Sequence, residues 1–263
     1  MIYNISKLPN LETQILGKTF FHEPTTASTQ TVVKDLLAQG YGSGTTVLAD
    51  HQTDGKGTKG RTWFSLEEPQ IYLSFLIAKK DLPFSEVPML NIVLGICMVR
   101  YLRDLGIPNC SLKWPNDVYI GQKKVCGILS ELVLHGWNAF VISGVGLNYE
   151  GDSKSFSPEL HATATIVKEH TEDLPDRLTF VAEYLFRLEC YLDQIRQDSV
   201  RIFQRDFEAL WRYRNQTISV RDGGNEYQGT ATSIDKDGAL LLETKQGNKR
   251  ILTGDIFIPT TIL

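Results

Sequence analysis

Residues 51–65 read HQTDGKGTKGRTWFS and interleave Gly55, Gly57 and Gly60 with Lys56, Lys59 and Arg61 before closing on Trp63. Glycine weakens helix and strand alike, and neighbouring cations repel, so stability alone does not select such a run. What it can do is turn backbone N–H groups towards an anion, with the cations reinforcing them. The spacing G-K-G-T-K-G-R matches neither the P-loop nor the dinucleotide fingerprint. Taken by itself, the run also fits a solvated, flexible turn.

Three more segments carry the same chemistry. In KWPND (113–117), proline locks its own φ and holds the preceding residue extended. That rigidity can fix Lys113, Asn116 and Asp117 at the end of a strand, although a proline turn capped by Asn and Asp has the same sequence. KKVCGIL (123–129) sets Lys124 ahead of an apolar strand containing Gly127, and SGVGLN (143–148) repeats the pattern with Gly144 and Gly146. Glycine inside a strand marks close backbone approach, to a ligand or to another part of the chain. Two such strands would seat a flat ligand across a sheet, or a tightly packed helix.

The elements around these segments are legible in the periodicity. TTASTQTVVKDLLAQG (25–40) reads as a helix capped by Ser28 or Thr29, with Val32, Val33, Leu36 and Leu37 as its apolar stripe and Gly40 beyond its end. TTVLAD (45–50) and IYLSFLIA (71–78) read as buried strands, the first feeding the glycine run. Residues 84–105 read as a helix ending at Gly106. Residues 111–134 read as strand, turn, strand with IGQKK as the connection, and residues 138–148 as one more strand. The polar stretch 151–175 gives no assignment. Residues 176–195 and 199–213 read as helices. After Asn215 short alternating strands are punctuated by Gly-Gly, Asp-Gly and Gly-Asn turns, which reads as a small β unit of roughly fifty residues.

Composition narrows the class. The net charge of −4 argues against a general nucleic-acid binder, so the local cations stand against an acidic background. The cysteines Cys97, Cys110, Cys126 and Cys190 form no C-x-x-C pair and are read as reduced core residues, which fits a reducing compartment. The N-terminus lacks the basic start and apolar block of a signal peptide, and no apolar run approaches the roughly 18 residues of a membrane span. A cytoplasmic protein without membrane contact is expected.

Taken in order, STQ (28–30), Q-x-x-G-K-G-x-x-G-R-x-W-F-S (52–65), YLS (72–74), KWPND, KKVCGILSE, GVGLN and the terminal GTATSIDKDGALLLE resemble the biotin–protein ligases from Phe20 onward. The resemblance implies an α/β (α+β) fold: a mixed β-sheet catalytic domain flanked by helices, followed by a small SH3-like β-barrel. It divides the chain into a lead segment (1–19), a biotin- and ATP-binding catalytic domain (20–215) and the SH3-like domain (216–263). It implies that biotin and ATP give biotinyl-5′-AMP and pyrophosphate, and that a lysine of a biotin carboxyl carrier domain of a carboxylase then takes the biotinyl group. Monomers and homodimers both occur in the family. Some members also carry an N-terminal helix-turn-helix domain; only 27 residues precede Ser28 here, so no DNA binding and no repressor activity are expected.

By the same resemblance Lys124, Lys113 and Asp117 are the catalytic set. Lys124 would serve the biotin carboxylate and the developing adenylate, and Lys113 the phosphates. Asp117 would act either as acceptor of the lysine proton or as a Mg²⁺ ligand. Ser28, Thr29, Gln30, Gln52, Lys56, Gly57, Thr58, Lys124, Gly127, Leu129 and Gly144 map to biotin, and Gly55, Lys56, Lys59, Arg61, Trp63, Asn116 and Asn148 to ATP or the adenylate. The chemistry needs such cations. A carboxylate and a phosphate ~4 Å apart repel by about 1 kcal/mol in water and about 4 kcal/mol at an effective dielectric of 20. An acceptor lysine must also lose its proton, at about 4–5 kcal/mol near pH 7. The chain departs from the family at Lys56 and Thr58, where arginine is usual, so a weaker hold on the adenylate is expected. Thr232 also stands where some members have arginine. Two rival readings are a lipoate or octanoate ligase or transferase, whose run of glycines after an arginine pair is absent, and a non-catalytic biotin or nucleotide sensor.

Overall fold

A computed structural model describes residues 3, 5–84, 87–198 and 200–258. Two strands, β1 (Ile5–Ser6) and β2 (Thr19–Thr26), lead into helix α1 (Thr29–Ala38), then β3 (Thr45–Gln52) and β4 (Ile71–Ala78). Helix α2 (Val87–Asp104) is followed by β5 (Cys110–Lys113), β6 (Asp117–Ile120), β7 (Lys123–His135) and β8 (Asn138–Leu147). Three helices come next: α3 (Pro158–His161), α4 (Arg177–Asp198) and α5 (Val200–Leu210). The chain ends in β9 (Thr217–Asp222), β10 (Asn225–Ile234), β11 (Leu240–Thr244), β12 (Gly247–Ile251) and β13 (Asp255–Phe257).

The first eight strands form one mixed sheet in the order β1-β2-β3-β4-β8-β7-β6-β5, in which only the β2–β3 pair is parallel. Helix α1 makes that crossover and lays Val32, Val33, Leu36 and Leu37 against Phe21, Val47, Leu76 and Ile142. On the other face α2, α4 and α5 enclose a large apolar cluster that runs on through Ile218, Val220, Ala231 and Ile256 of the second sheet. That second sheet is antiparallel, in the order β12-β11-β10-β9-β13. Among the described residues no ladder joins β12 to β13, so hydrogen bonds do not close it into a barrel.

Several sequence expectations need correction. Residues 111–134 hold three strands, because the cis Trp114–Pro115 bond sits in a turn that splits the first expected strand into β5 and β6. The sequence does not announce strand β2, because His22, Glu23 and Pro24 interrupt its alternation. Its polar side is matched from afar: the His22 ring lies 2.6 Å from Asp50, which also takes Arg177 from α4 at 2.5 Å. The unassigned stretch 151–175 holds α3 and short single turns. Cys97, Cys110 and Cys126 are buried thiols as expected, whereas Cys190 is exposed on α4. Among the described residues no helix is long and apolar enough to cross a membrane.

Candidate active site

Alternation along the strands decides which residues face α1. Because Leu76 and Ile142 lie beneath the helix, Ser74 and Gly144 come next on that face, and Tyr72 and Gly146 after them. The register extends the last row across five strands as Tyr72, Gly146, Gly127, Asp117 and Lys113. Helix α1 covers only the Leu76 end. Past its N-terminus the sheet is open, and two adjacent glycines leave a trough there.

Trp63 fills that trough. A Cβ on Gly127 would collide with its indole ring, and one on Gly146 would lie 2.7 Å from its Cε2. The tryptophan is delivered by the glycine run, which folds back on itself: Trp63 donates its N–H to the Gly55 carbonyl at 2.8 Å and Gly57 donates to Arg61 at 2.7 Å. Lys59 takes a left-handed φ of 57° at the turn. The glycines of β7 and β8 therefore admit side chains of the protein itself, since a Cβ on Gly144 would likewise lie 2.7 Å from Gln30 Nε2.

Between this flap, the start of α1 and the sheet lies a cavity of about 160 Å³. It is lined by fourteen of the expected residues: Ser28, Thr29, Gln30, Gln52, Lys56, Gly57, Thr58, Arg61, Trp63, Asn116, Lys124, Gly127, Leu129 and Gly144. Thr62, Tyr72, Ser74, Ile128, Val145 and Gly146 complete the lining; of these the sequence marks Gly146 as a place of close approach and gives the other five no role. The alternation of IYLSFLIA placed Tyr72 and Ser74 on one face, which was the available signal. Five expected residues lie outside this lining. Gly55 holds the flap's turn. Lys59 pairs with Asp255 of β13 at 2.8 Å. Asn148 is buried and donates to the Thr165 carbonyl at 3.0 Å. Lys113 and Asp117 continue the floor beyond Lys124.

The polar groups divide the cavity into two ends. At the α1 end, Gln52 Oε1 accepts from the Thr29 N–H at 2.8 Å, and the Thr29 and Ser74 hydroxyls lie 2.7 Å apart. Ser28 stands at the helix N-cap yet makes no side-chain cap bond. Gln30 donates to the Leu129 carbonyl at 2.8 Å. Gln30 Oε1, Trp63 Nε1 and the Tyr72 hydroxyl are buried and none makes a well-aligned hydrogen bond. Ser65, the Leu66 backbone and Trp63 nevertheless lie near enough to the Tyr72 phenol to oppose the rise that burial imposes on its pKa. A buried polar atom left unpaired costs about 1–3 kcal/mol, so the three buried atoms favour a ligand that offers both donors and acceptors.

At the other end the cations gather. Lys124 Nζ lies 5.1 Å from the centre of the Trp63 ring and 2.6 Å from Asp117 Oδ1. Its backbone is clamped by the stretch that gave no sequence assignment: Lys124 donates to Thr163 at 2.8 Å and accepts from Thr165 at 2.9 Å. Asn116 ties the strand turn to β7, donating from its amide to Ile128 at 2.7 Å and accepting from the Ile128 N–H at 2.9 Å. Burial pulls the Lys113 ammonium below its usual pKa, Asp117 opposes that, and Lys124 and Arg212 add to it. Among the described residues no three His, Cys, Asp or Glu side chains converge on a metal position, and Asp117 is already engaged by Lys124. A protein-held Mg²⁺ site is therefore not supported by the donor set.

Residues 23–148 match the model of the Biotin/lipoate A/B protein ligase family, and residues 214–258 that of the Biotin protein ligase C terminal domain. The bifunctional ligase/repressor BirA of Bacillus spizizenii is 30% identical over 251 residues, which span 94% of this chain and 76% of that protein. The biotin–[acetyl-CoA-carboxylase] ligase of Mycobacterium tuberculosis is 30% identical over 242 residues, 88% of this chain and 86% of its own length. Among solved structures, the biotin protein ligase of Aquifex aeolicus in complex with biotin and ATP superposes with a TM-score of 0.79 at 30% identity, covering 91% of this chain and 98% of that one. Similarity at this level across both sheets places the chain in the biotin protein ligase family.

Proposed function

We propose that the chain is an ATP-dependent ligase that activates biotin as biotinyl-5′-AMP and transfers it to a lysine of a biotin carboxyl carrier domain. The observation that carries this reading is the two-ended cavity, with unpaired donors and acceptors beside the N-terminus of α1 and lysines at the opposite end. Biotin fits that division. Its ureido group would meet Ser28, Thr29, Gln30 and Gln52, its apolar chain would lie along Leu129 and the Trp63 indole, and its carboxylate would reach Lys124.

In the first step a carboxylate oxygen of biotin attacks the α-phosphorus of ATP, and the bond to the β-phosphate breaks to release pyrophosphate. Lys124, Lys56 and Arg61 offset the repulsion between the two anions. In the second step the acceptor amine attacks the acyl carbon, the C–N bond forms, AMP leaves and the amine loses a proton. The ion pair with Lys124 makes Asp117 foremost a group that orients that lysine. Mg²⁺ would arrive as the counter-ion of the nucleotide phosphates, held chiefly by them. On this reading residues 20–215 make up the catalytic unit and residues 216–263 the appended one, in a reducing, cytoplasmic setting.

Isotope exchange between pyrophosphate and ATP, run with biotin, with lipoate and with neither acid, tests the proposal. Exchange that requires biotin is expected. Exchange with lipoate alone would move the chain to the sister activity. Biotin binding by calorimetry without exchange would make it a sensor.

A further inference from the structure

Beyond Lys113 the floor row reaches the edge strand β5, where the segment after α5 comes alongside. The Arg212 N–H donates to the Leu112 carbonyl at 3.1 Å, and Trp211 bridges the same residue, so the backbone itself sets the position of Arg212. Its guanidinium lies 4.4 Å from the centre of the Tyr119 ring and 5.1 Å from that of Tyr213. One nitrogen, Nη2, donates to the neutral carboxamide of Gln122. The other, Nη1, is buried and has no partner, and no carboxylate pairs with Arg212 among the described residues.

The surroundings make this costly. The Lys113 ammonium lies 5.8 Å from the centre of the same Tyr119 ring. Lys113, Lys124 and Arg212 thus share one stretch of floor. Asp117 is the facing carboxylate and is already bonded to Lys124; Asp255 acts on Lys113 from the second sheet but is itself held by Lys59 and Arg61. A guanidinium set between two aromatic rings and tied to the Leu112 backbone is held in place, which suits a charge-assisted contact with phosphate. Because Nη1 is buried, the edge that half-buried Arg212 can offer an anion is its exposed Nη2 side, where only the neutral Gln122 competes, within a cluster of excess positive charge.

We propose that Arg212 binds the pyrophosphate portion of the nucleotide. The inference rests on the ligase reading above. With the biotin carboxylate at Lys124, the α-phosphate lies next to it, and the β- and γ-phosphates extend along the floor to Lys113 and Arg212. Arg212 thus holds the leaving group of the first half-reaction and has no part in the second, in which no pyrophosphate takes part.

Arg212→Gln and Arg212→Lys in the full chain test this. For Arg212→Gln, the KM values for ATP and for pyrophosphate in biotin-dependent exchange are expected to rise about tenfold, the scale of one charge-assisted phosphate contact. Arg212→Lys is expected to recover part of that loss. Biotin affinity, and biotinyl transfer from purified biotinyl-5′-AMP to a carrier domain, are expected to stay within twofold of wild type. Exchange constants equal to wild type would overturn the proposal. Equal losses in exchange and in transfer would also overturn it, because they would mark Arg212 as a support for the link to the second sheet. A loss confined to transfer would do the same by assigning it to the acceptor domain. A wild-type chain inert with biotin would sink the ligase reading instead. Calorimetry with pyrophosphate alone still decides the site in that case, with about tenfold weaker binding to Arg212→Gln expected and equal binding overturning the proposal.

Discussion

The ammonium of Lys124 sits 2.6 Å from a carboxylate oxygen of Asp117, one strand away across the floor of the cavity. Lys124 is the cation that would meet both the biotin carboxylate and the acyl-adenylate, so the residue that orients it matters to both half-reactions. Replacing Asp117 with Asn removes the charge and keeps the shape. Exchange and transfer are expected to fall alike, by roughly tenfold, or about 1.4 kcal/mol in each barrier. Measuring the two half-reactions separately checks this. A loss of 100-fold or more confined to transfer would instead identify Asp117 as the base for the acceptor amine.

The seat of Trp63 gives a second prediction. Gly127→Ala puts a methyl group where the indole lies, and the nearby Lys124 Nζ, 3.1 Å from the same position, must also give way. Overpacking of this kind costs about 1–3 kcal/mol, and here the flap can relieve it by lifting. The variant should remain folded, with a melting temperature close to wild type, while biotin binds about tenfold more weakly and Trp63 becomes accessible to a fluorescence quencher. Unchanged affinity would mean that the flap need not close on the sheet.

How much of this was visible beforehand depends on the distance over which each contact acts. IYLSFLIA declared itself a covered strand because burial on both faces leaves an unbroken apolar run, and β4 begins and ends where that run does. Gly127, Gly144 and Gly146 were legible as places of close approach, but not what approaches them, because Trp63 and Gln30 come from separate elements. KWPND shows a rigid strand end and its lysine, yet not that Asp117 opens a further strand, β6, which carries the sheet on to β7. The ion pairs of Lys59 and Arg61 with Asp255 join residues almost two hundred positions apart, and nothing local in either segment announces them. Arg212 lies in a stretch that reads as the tail of a helix, and only the folded chain places it beside Tyr119.

Lys113 supplies a pH dependence. Burial holds its pKa below the ordinary value of 10.5, so the charged form is disfavoured in the folded protein and the associated destabilisation fades as the pH rises towards that value. For phosphate binding the sign is opposite: the ammonium is present at low pH and is lost as the pH rises through its lowered pKa. Pyrophosphate affinity should therefore weaken on the alkaline side before an ordinary lysine would titrate. Lys113→Arg, which keeps its charge throughout, should move that alkaline limb upward. Superimposable profiles for the two proteins would place the titration elsewhere.

The carboxylate of Asp255 lies 2.8 Å from Lys59 and 3.2 Å from Arg61, and on the ligase reading it competes with the nucleotide phosphates for these two flap cations. Both pairs are largely exposed, so each contributes only about 0.2–1 kcal/mol to stability and is screened by salt. Asp255→Asn should accordingly shift the melting temperature by no more than a few degrees. Its larger effect should be on the nucleotide, because ATP no longer competes with the carboxylate for the same cations. The KM for ATP is expected to fall about threefold at low ionic strength, with the difference shrinking near 1 M salt, where the screening length is about 3 Å. Measuring KM for ATP in both proteins across a salt series separates two roles for β13. A lower KM marks Asp255 as a competitor that the nucleotide displaces, whereas a higher KM, with kcat reduced as well, would mean that the second sheet holds the flap in its working position.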